Sequence, residues 1–262
     1  MDNVAVDPLP FAPDSVIRRV NREPVLLLGG RAALLMQLAH PLVAAGVAHH
    51  SGFRDDPLGR LRRTLTTISV MVYGTEPEAR SAARHVNAVH STVRGIDDDG
   101  RAYSAMQPDL LLWVFSTLVD CALSVYEPFV APLSHEERCG FYEESKTLAR
   151  MFGVPARTLP ATIDQLRDWM RERIDTGEVR VTPLARDLAR PILSPISWVP
   201  WWATSRSLPI VAWLLPTELR KGYGIHLGRS GRAAVAALQR ASTLVIPRSP
   251  PVIKRIALRA VF

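Results

Sequence analysis

The chain has 262 residues, 47% of them hydrophobic, and carries 32 basic against 25 acidic side chains, a net charge of +7. That apolar content is ample for a buried core and excludes a disordered chain; the length suits one domain. Two cysteines, Cys121 and Cys139, and no C-x-x-C-H string exclude a disulfide framework and the usual covalent c-type haem attachment. In chain order, Met1–Pro13 is acidic and Pro-rich, with neither the basic n-region nor the apolar h-region of a secretory signal, so a cytosolic compartment is expected. Helical periodicity dominates from there on. Ser15–Asn21 reads as a short helix, and Arg31–His50 as an apolar helix broken at His40-Pro41, because proline removes a backbone donor. Asp56–Tyr73 places Leu58, Leu61, Leu65, Ile68 and Val72 on one stripe, ended by Gly74. Thr75 and Glu78 form a capping box for a helix to about Arg94, stopped at Gly95. Its buried stripe is Ala79, Ala82, Val86, Val89 and Val93.

Asp97–Gly100 is a turn, and Pro108–Val130 a long apolar helix interrupted near Pro128. A second capping box, Ser134 and Glu137, opens Ser134–Met151. Pro160–Thr176, Pro183–Arg190, Val199–Leu215, Pro216–Tyr223 and Arg229–Val245 complete the series. No useful strand alternates with period two, so the fold class expected is all-α, a single multi-helix globular domain over 15–247. It lies between an N-terminal arm, 1–14, and a basic tail, 248–262. The charges are interspersed with acids along the helices, with no basic cluster among aromatics, so no nucleic-acid partner is expected. Ser197–Leu215, with four tryptophans, and the basic tail Ile253–Phe262 could each rest on a membrane surface, and packing against the domain is the preferred reading.

The residues that could carry chemistry are few. No H-E-x-x-H, G-x-S-x-G, Walker or G-x-G-x-x-G string is present, and the paired E-x-x-H of a di-iron bundle is missing. His90 falls within the buried stripe of its helix, where a lone histidine is more often a satisfied core residue than a ligand. Arg60, Thr64, Thr67 and Met71 form a second, polar stripe about 100° from the leucines. It is either the wall of a lined cavity or a solvent edge. His49 and His50 are adjacent, diverge on a helix, and cannot easily hold one ion together.

Three strings in order, Gln37-Leu38-Ala39-His40-Pro41, Gly46-Val47-Ala48-His49-His50-Ser51 and Asp56-Pro57-Leu58-Gly59-Arg60-Leu61-Arg62-Arg63-Thr64, resemble the mpaB-type oxygenase family, which includes the rubber oxygenases called latex-clearing proteins. The resemblance continues through Tyr73-Gly74-Thr75, Val89-His90-Ser91-Thr92-Val93-Arg94-Gly95, Tyr103-Ser104-Ala105 and Leu111-Leu112-Trp113-Val114, and covers roughly residues 15–245. It implies an all-helical fold enclosing a pocket for non-covalent haem b, with His90 as the axial iron ligand. It also implies that Arg60 and Thr64 lie by the haem, where a guanidinium fork suits a propionate. The distal lysine of the rubber-cleaving relatives aligns with Arg63, a poor iron ligand because it stays protonated. Their catalytic acid aligns with an alanine-rich stretch around Ala44, so His40 or His50 is the stand-in named for it. Phe115 stands where many relatives have histidine.

The activity so implied is a haem-dependent oxygenase (an oxidoreductase) using dioxygen on a small apolar substrate, an isoprenoid being the one considered, with an electron donor that the sequence does not name. The alternatives are a haem-binding protein without oxygenase activity and a cofactor-free lipid-binding helical protein.

Overall fold

The computed structural model describes residues 9–50, 57–193 and 201–246, the side chains of Pro57, Leu58, Arg60, Leu61 and 201–207 excepted. Five α-helices precede a small ribbon: α1 (Val16–Asn21), α2 (Leu27–Leu38), α3 (Pro41–His50), α4 (Pro57–Tyr73) and α5 (Glu76–Thr92). The ribbon pairs β1 (Arg94–Ile96) with β2 (Ala102–Ser104), antiparallel. Seven helices follow: α6 (Pro108–Phe129), α7 (His135–Met151), α8 (Ile163–Asp175), α9 (Pro183–Leu193), α10 (Trp201–Leu214), α11 (Thr217–Gly222) and α12 (Arg229–Val245). The all-α expectation holds, with one addition: the ribbon is too short, at three residues a strand, to leave an alternating pattern in sequence.

Helices α2 and α6 form the centre. From Arg31 to Leu38 every residue of α2 is buried, which is what a helix apolar on all sides requires. The two helices close together at Gly29, where an added Cβ would lie 3.1 Å from the Val125 side chain. Gln37 Nε2 donates to Thr117 Oγ1 across the contact at 3.1 Å. Helix α6 is long and apolar enough to cross a membrane by composition, but 67% of that stretch is buried inside the fold, as befits a core helix. The break expected at Pro41 is real. Helix α2 ends at Leu38, and α3 leaves at 101° to the preceding segment. Arg31, buried with its pKa lowered by desolvation, donates Nη2 to the Ile192 carbonyl in the last turn of α9. Helix α9 itself runs through Pro191 to Leu193, three residues beyond the sequence reading, since a proline near the end forfeits little.

Both capping boxes form. Thr75 N donates to Glu78 Oε2 at 2.7 Å. Ser134 N donates to Glu137 Oε2 at 2.7 Å, and Glu137 N donates back to Ser134 Oγ at 3.1 Å. We expect Ser134→Ala to lower stability by about 1 kcal/mol, read as a shifted urea midpoint at unchanged slope. No measurable shift would mean the box is not formed in solution. Of Ser197–Leu215, residues 201–214 form α10, and Ile210, Val211, Ala212 and Leu215 are buried against the domain. The tail Ile253–Phe262 lies outside the described residues.

Candidate functional site

The two-residue connection Gly74-Thr75 folds α4 and α5 into an antiparallel pair packed side by side. Arg60 lies fourteen residues before that connection and His90 fifteen after it. At 1.5 Å per residue both sit about 21 Å from the turn, at the open end of the hairpin. Thr64 lies one turn nearer, level with Val86. The backbone thus brings together the three positions that the sequence resemblance names for a cofactor.

Burial along the hairpin is uneven. Met71, Val72, Ala79 and Ala83, beside the turn, are buried in the main core. Among the described side chains, none from Gly59 to Val70 or from Arg84 to Val93 reaches full burial. Leu65, Ile68, Val86 and Val93 are half-buried, and Val89 is 50% exposed. The buried stripe expected for α5 therefore holds at Ala79, weakens at Ala82 and Val86, and fails at Val89. The reason is that α5 leans mainly on α4, and α4 covers only one side of it. Asn87 still ties α5 to the body, donating Nδ2 to the Met151 carbonyl at 2.9 Å.

His90 is half-buried rather than a core residue, and its Nδ1 is closed to solvent. Thr64 is half-buried and Arg63 exposed. The side chain of Arg60 lies outside the described residues. Thr67 folds back on its own helix, donating Oγ1 to the Arg63 carbonyl at 2.9 Å. The end of α5 is held by the ribbon and by α3: Ala105 N donates to the Val93 carbonyl at 2.9 Å, and His50 Nε2 donates to the Arg94 carbonyl at 3.1 Å.

The two histidines considered for a distal role are far apart. His40 precedes α3 and His50 ends it, so about 15 Å of helix separates them. His50 is exposed, its ring edge-on to Tyr103 with centroids 6.2 Å apart. His49 Nδ1 shares a 2.8 Å hydrogen bond with the Tyr103 hydroxyl. His40 is 4% exposed, with its ring 6.4 Å from that of Trp113. Burial lowers its pKa to about 4, helped by the positive charges of Arg101 and Arg173 and opposed by Asp109. The Glu178 carboxylate stands 3.9 Å from Nε2, too far to hydrogen-bond and half in solvent, so it does not reverse that shift. Ala44, aligned with the relatives' acid, is fully buried in apolar packing.

Tyr103 is the residue that sequence reasoning passed over. It is buried, its hydroxyl pKa raised by desolvation, and it touches both adjacent histidines. Gly95 lets it in, since a Cβ there would lie 2.7 Å from the Tyr103 oxygen. Its presence in the Tyr103-Ser104-Ala105 string was the only signal available.

The donor set offers one kind of metal ligation. Among the described residues no three His, Cys, Asp or Glu side chains converge, so at the open end of the hairpin His90 offers one imidazole rather than part of a protein-only cage, His85 being exposed further along α5. A porphyrin needs just that, together with apolar walls and cations for its propionates. The half-buried Leu65 and Val86 and the arginine at position 60 fit the requirement in type, whereas Ile68 packs on the main core and Val93 against Ala45, Tyr103 and Leu110. Two clefts open elsewhere, of about 440 Å3 beside Pro209 and Tyr223 and about 450 Å3 beside Arg167 and Met170. Neither is lined by His90, Thr64 or Arg63.

The chain is 26% identical over 174 residues to an uncharacterized protein of Mycobacterium tuberculosis and, to the same extent, to one of Mycobacterium bovis. Each match covers 65% of this chain and 67% of the relative. No solved structure matches it. A family model described as the catalytic domain of the ER-bound oxygenase mpaB/B' and rubber oxygenase matches residues 17–245, a span running from α1 through the last residue of α12. The chain belongs to the mpaB/rubber oxygenase family of oxygenase catalytic domains.

Proposed function

We propose that this family member is a haem b-dependent oxygenase whose iron would be held by His90 and whose substrate is a small apolar molecule of the isoprenoid kind. One observation carries the reading. The α4–α5 hairpin sets Arg60, Thr64 and His90 at one end, on stretches that keep apolar side chains half-buried and close the His90 Nδ1 to solvent. Haem, when bound, supplies the dioxygen activation that no side chain here can provide.

The chain's own groups have the remaining tasks. His90 offers an imidazole on a helix end that is held in place, since Asn87, one turn before it, donates to Met151, and Arg94, one turn after it, accepts from His50. Arg60 would pair with an anionic propionate, and Thr64 would offer a hydrogen bond to the group or its water. The half-buried Leu65 and Val86 would give that end of the hairpin an apolar wall, which suits an olefin better than a polar substrate. The electron donor is an external reductant.

Purified with haem supplied, the protein should show a Soret band, and His90→Ala should shift or weaken it while circular dichroism stays unchanged. Identical spectra for the two proteins remove His90 as ligand. A second reading, haem binding without oxygenation, is favoured by a specific feature. Ala44 is buried among apolar groups where the relatives' acid aligns, and Arg63 is exposed. Oxygen-18 appearing in carbonyl products from a panel of terpenoid olefins would exclude it.

A further inference from the structure

The interspersion of charge noted in the sequence holds only as far as Glu218. None of the 25 acidic residues follows it, while nine of the 32 basic ones do, leaving 23 basic against 25 acidic side chains in the first 218 residues. The excess positive charge of the molecule therefore belongs to its last 44 residues. Within the described part of that stretch lies α12, which packs on α6 and α10. Val235 and Ser242 are its buried positions.

The opposite side of α12 is unusual for a water-facing helix. At about 100° per residue the side opposite Val235 and Ser242 carries Ala233, Ala237, Leu244 and Arg240, with Ser230 and Ala241 at its border, all exposed. Exposed arginines, Arg229, Arg232 and Arg240, run along one flank. Leu238 and Val245 run along the other; Val245, like Leu244, is 63% exposed. A solvated helix carries charges of both signs on its outward side, and here that side holds small and aliphatic residues beside arginines, with no acid anywhere on the helix.

We infer that this face of α12 lies on an anionic lipid bilayer, with the arginines at headgroup phosphates and Leu244 and its neighbours at the acyl boundary. An apolar strip beside cations is the arrangement of an interfacial helix. The lack of carboxylates removes repulsion from an anionic surface. A nucleic acid would use the same arginines but leaves the aliphatic strip without a purpose. The chain beyond α12 carries the same sign, with Arg248, Lys254, Arg255 and Arg259 and no acid. The inference is independent of the haem reading, since α12 holds none of the residues that reading uses.

The test is sedimentation of the full chain with vesicles of phosphatidylcholine alone and with phosphatidylserine added. Wild type should bind the anionic vesicles and not the neutral ones. The variant Arg229→Gln/Arg232→Gln/Arg240→Gln should bind them on the order of a hundredfold more weakly, as expected for three cations near such a surface. Leu244→Gln should weaken binding with the arginines intact, and both variants should keep the wild-type circular dichroism and melting midpoint. Undiminished binding by the triple variant would overturn the inference and assign the lipid contact to the tail. Tight duplex DNA binding that the triple variant loses and Leu244→Gln retains, without vesicle binding, would overturn it in favour of a nucleic-acid surface.

Discussion

Trp113→Ala should cost about 4 kcal/mol of stability, within the usual range for deleting a fully buried large aromatic, and a large share of the stability of a typical domain would go with it. Trp113 is 0% exposed near the start of α6. Its ring lies 6.3 Å from that of Trp169 on α8 and 6.4 Å from that of His40, so it joins three parts of the core. It also finishes a helix. Helix α2 ends at Leu38, and the Met36 carbonyl, left without its helical partner, accepts from Trp113 Nε1 at 3.0 Å. The Leu35 carbonyl, which keeps its helical bond from Ala39 N at 3.0 Å, accepts a second one from the Tyr223 hydroxyl at 2.7 Å. Trp113→Phe retains much of the volume and forfeits the hydrogen bond, so about 1–2 kcal/mol is expected for it. Urea unfolding of the two variants separates the contributions. Equal losses would mean that the hydrogen bond, and not the packing, is what Trp113 supplies.

The same residues show what could be read in advance. Local chemistry was legible wherever it acts within a few residues. Glu137 lies three positions after Ser134, and Pro41 ends a helix whatever surrounds it. The proximity of Arg60 and His90 was legible in a weaker sense, because Gly74-Thr75 between two helices leaves an antiparallel pair as the short solution. The failures all involve partners distant in sequence. Val89 has the spacing of a core residue, but no spacing tells that the body of the domain stops short of it. The strands Arg94–Ile96 and Ala102–Ser104 exist because Asp97, accepting from Arg101 N at 2.7 Å, closes the turn, and because Tyr103 is drawn down between α3 and Gly95. Similarly, His40 and His50 looked interchangeable in sequence, and the length of α3 separates them. The acid-free stretch after Glu218 was legible throughout, but its meaning depends on which side of α12 faces outward.

The largest pH effect on folding should come from His40. With an ordinary value of 6.5 and a folded value of about 4, the unfolded chain binds this proton more readily than the folded one throughout that interval. Stability is therefore full above pH 6.5 and falls as pH drops toward 4, by about 3 kcal/mol over the whole window. The groups around the ring oppose protonation rather than answer it. Nδ1 is buried without a hydrogen-bond partner, Arg101 and Arg173 are positive, Glu178 is beyond bonding distance, and Asp109 alone pulls the other way in the charge balance. Carboxylates whose pKa the fold depresses, Glu78 and Glu137 by hydrogen bonds to their caps, lose their contribution only below their ordinary value of 4.5. The two effects thus occupy different ranges. His40→Leu removes the titration at similar volume, so its urea midpoint should change little between pH 6.5 and 4.5 while that of wild type drops steadily. Parallel curves for the two proteins in that range would show that His40 takes up its proton in the folded state as readily as in water, and the tight packing of the α2–α3 corner around it would be wrong.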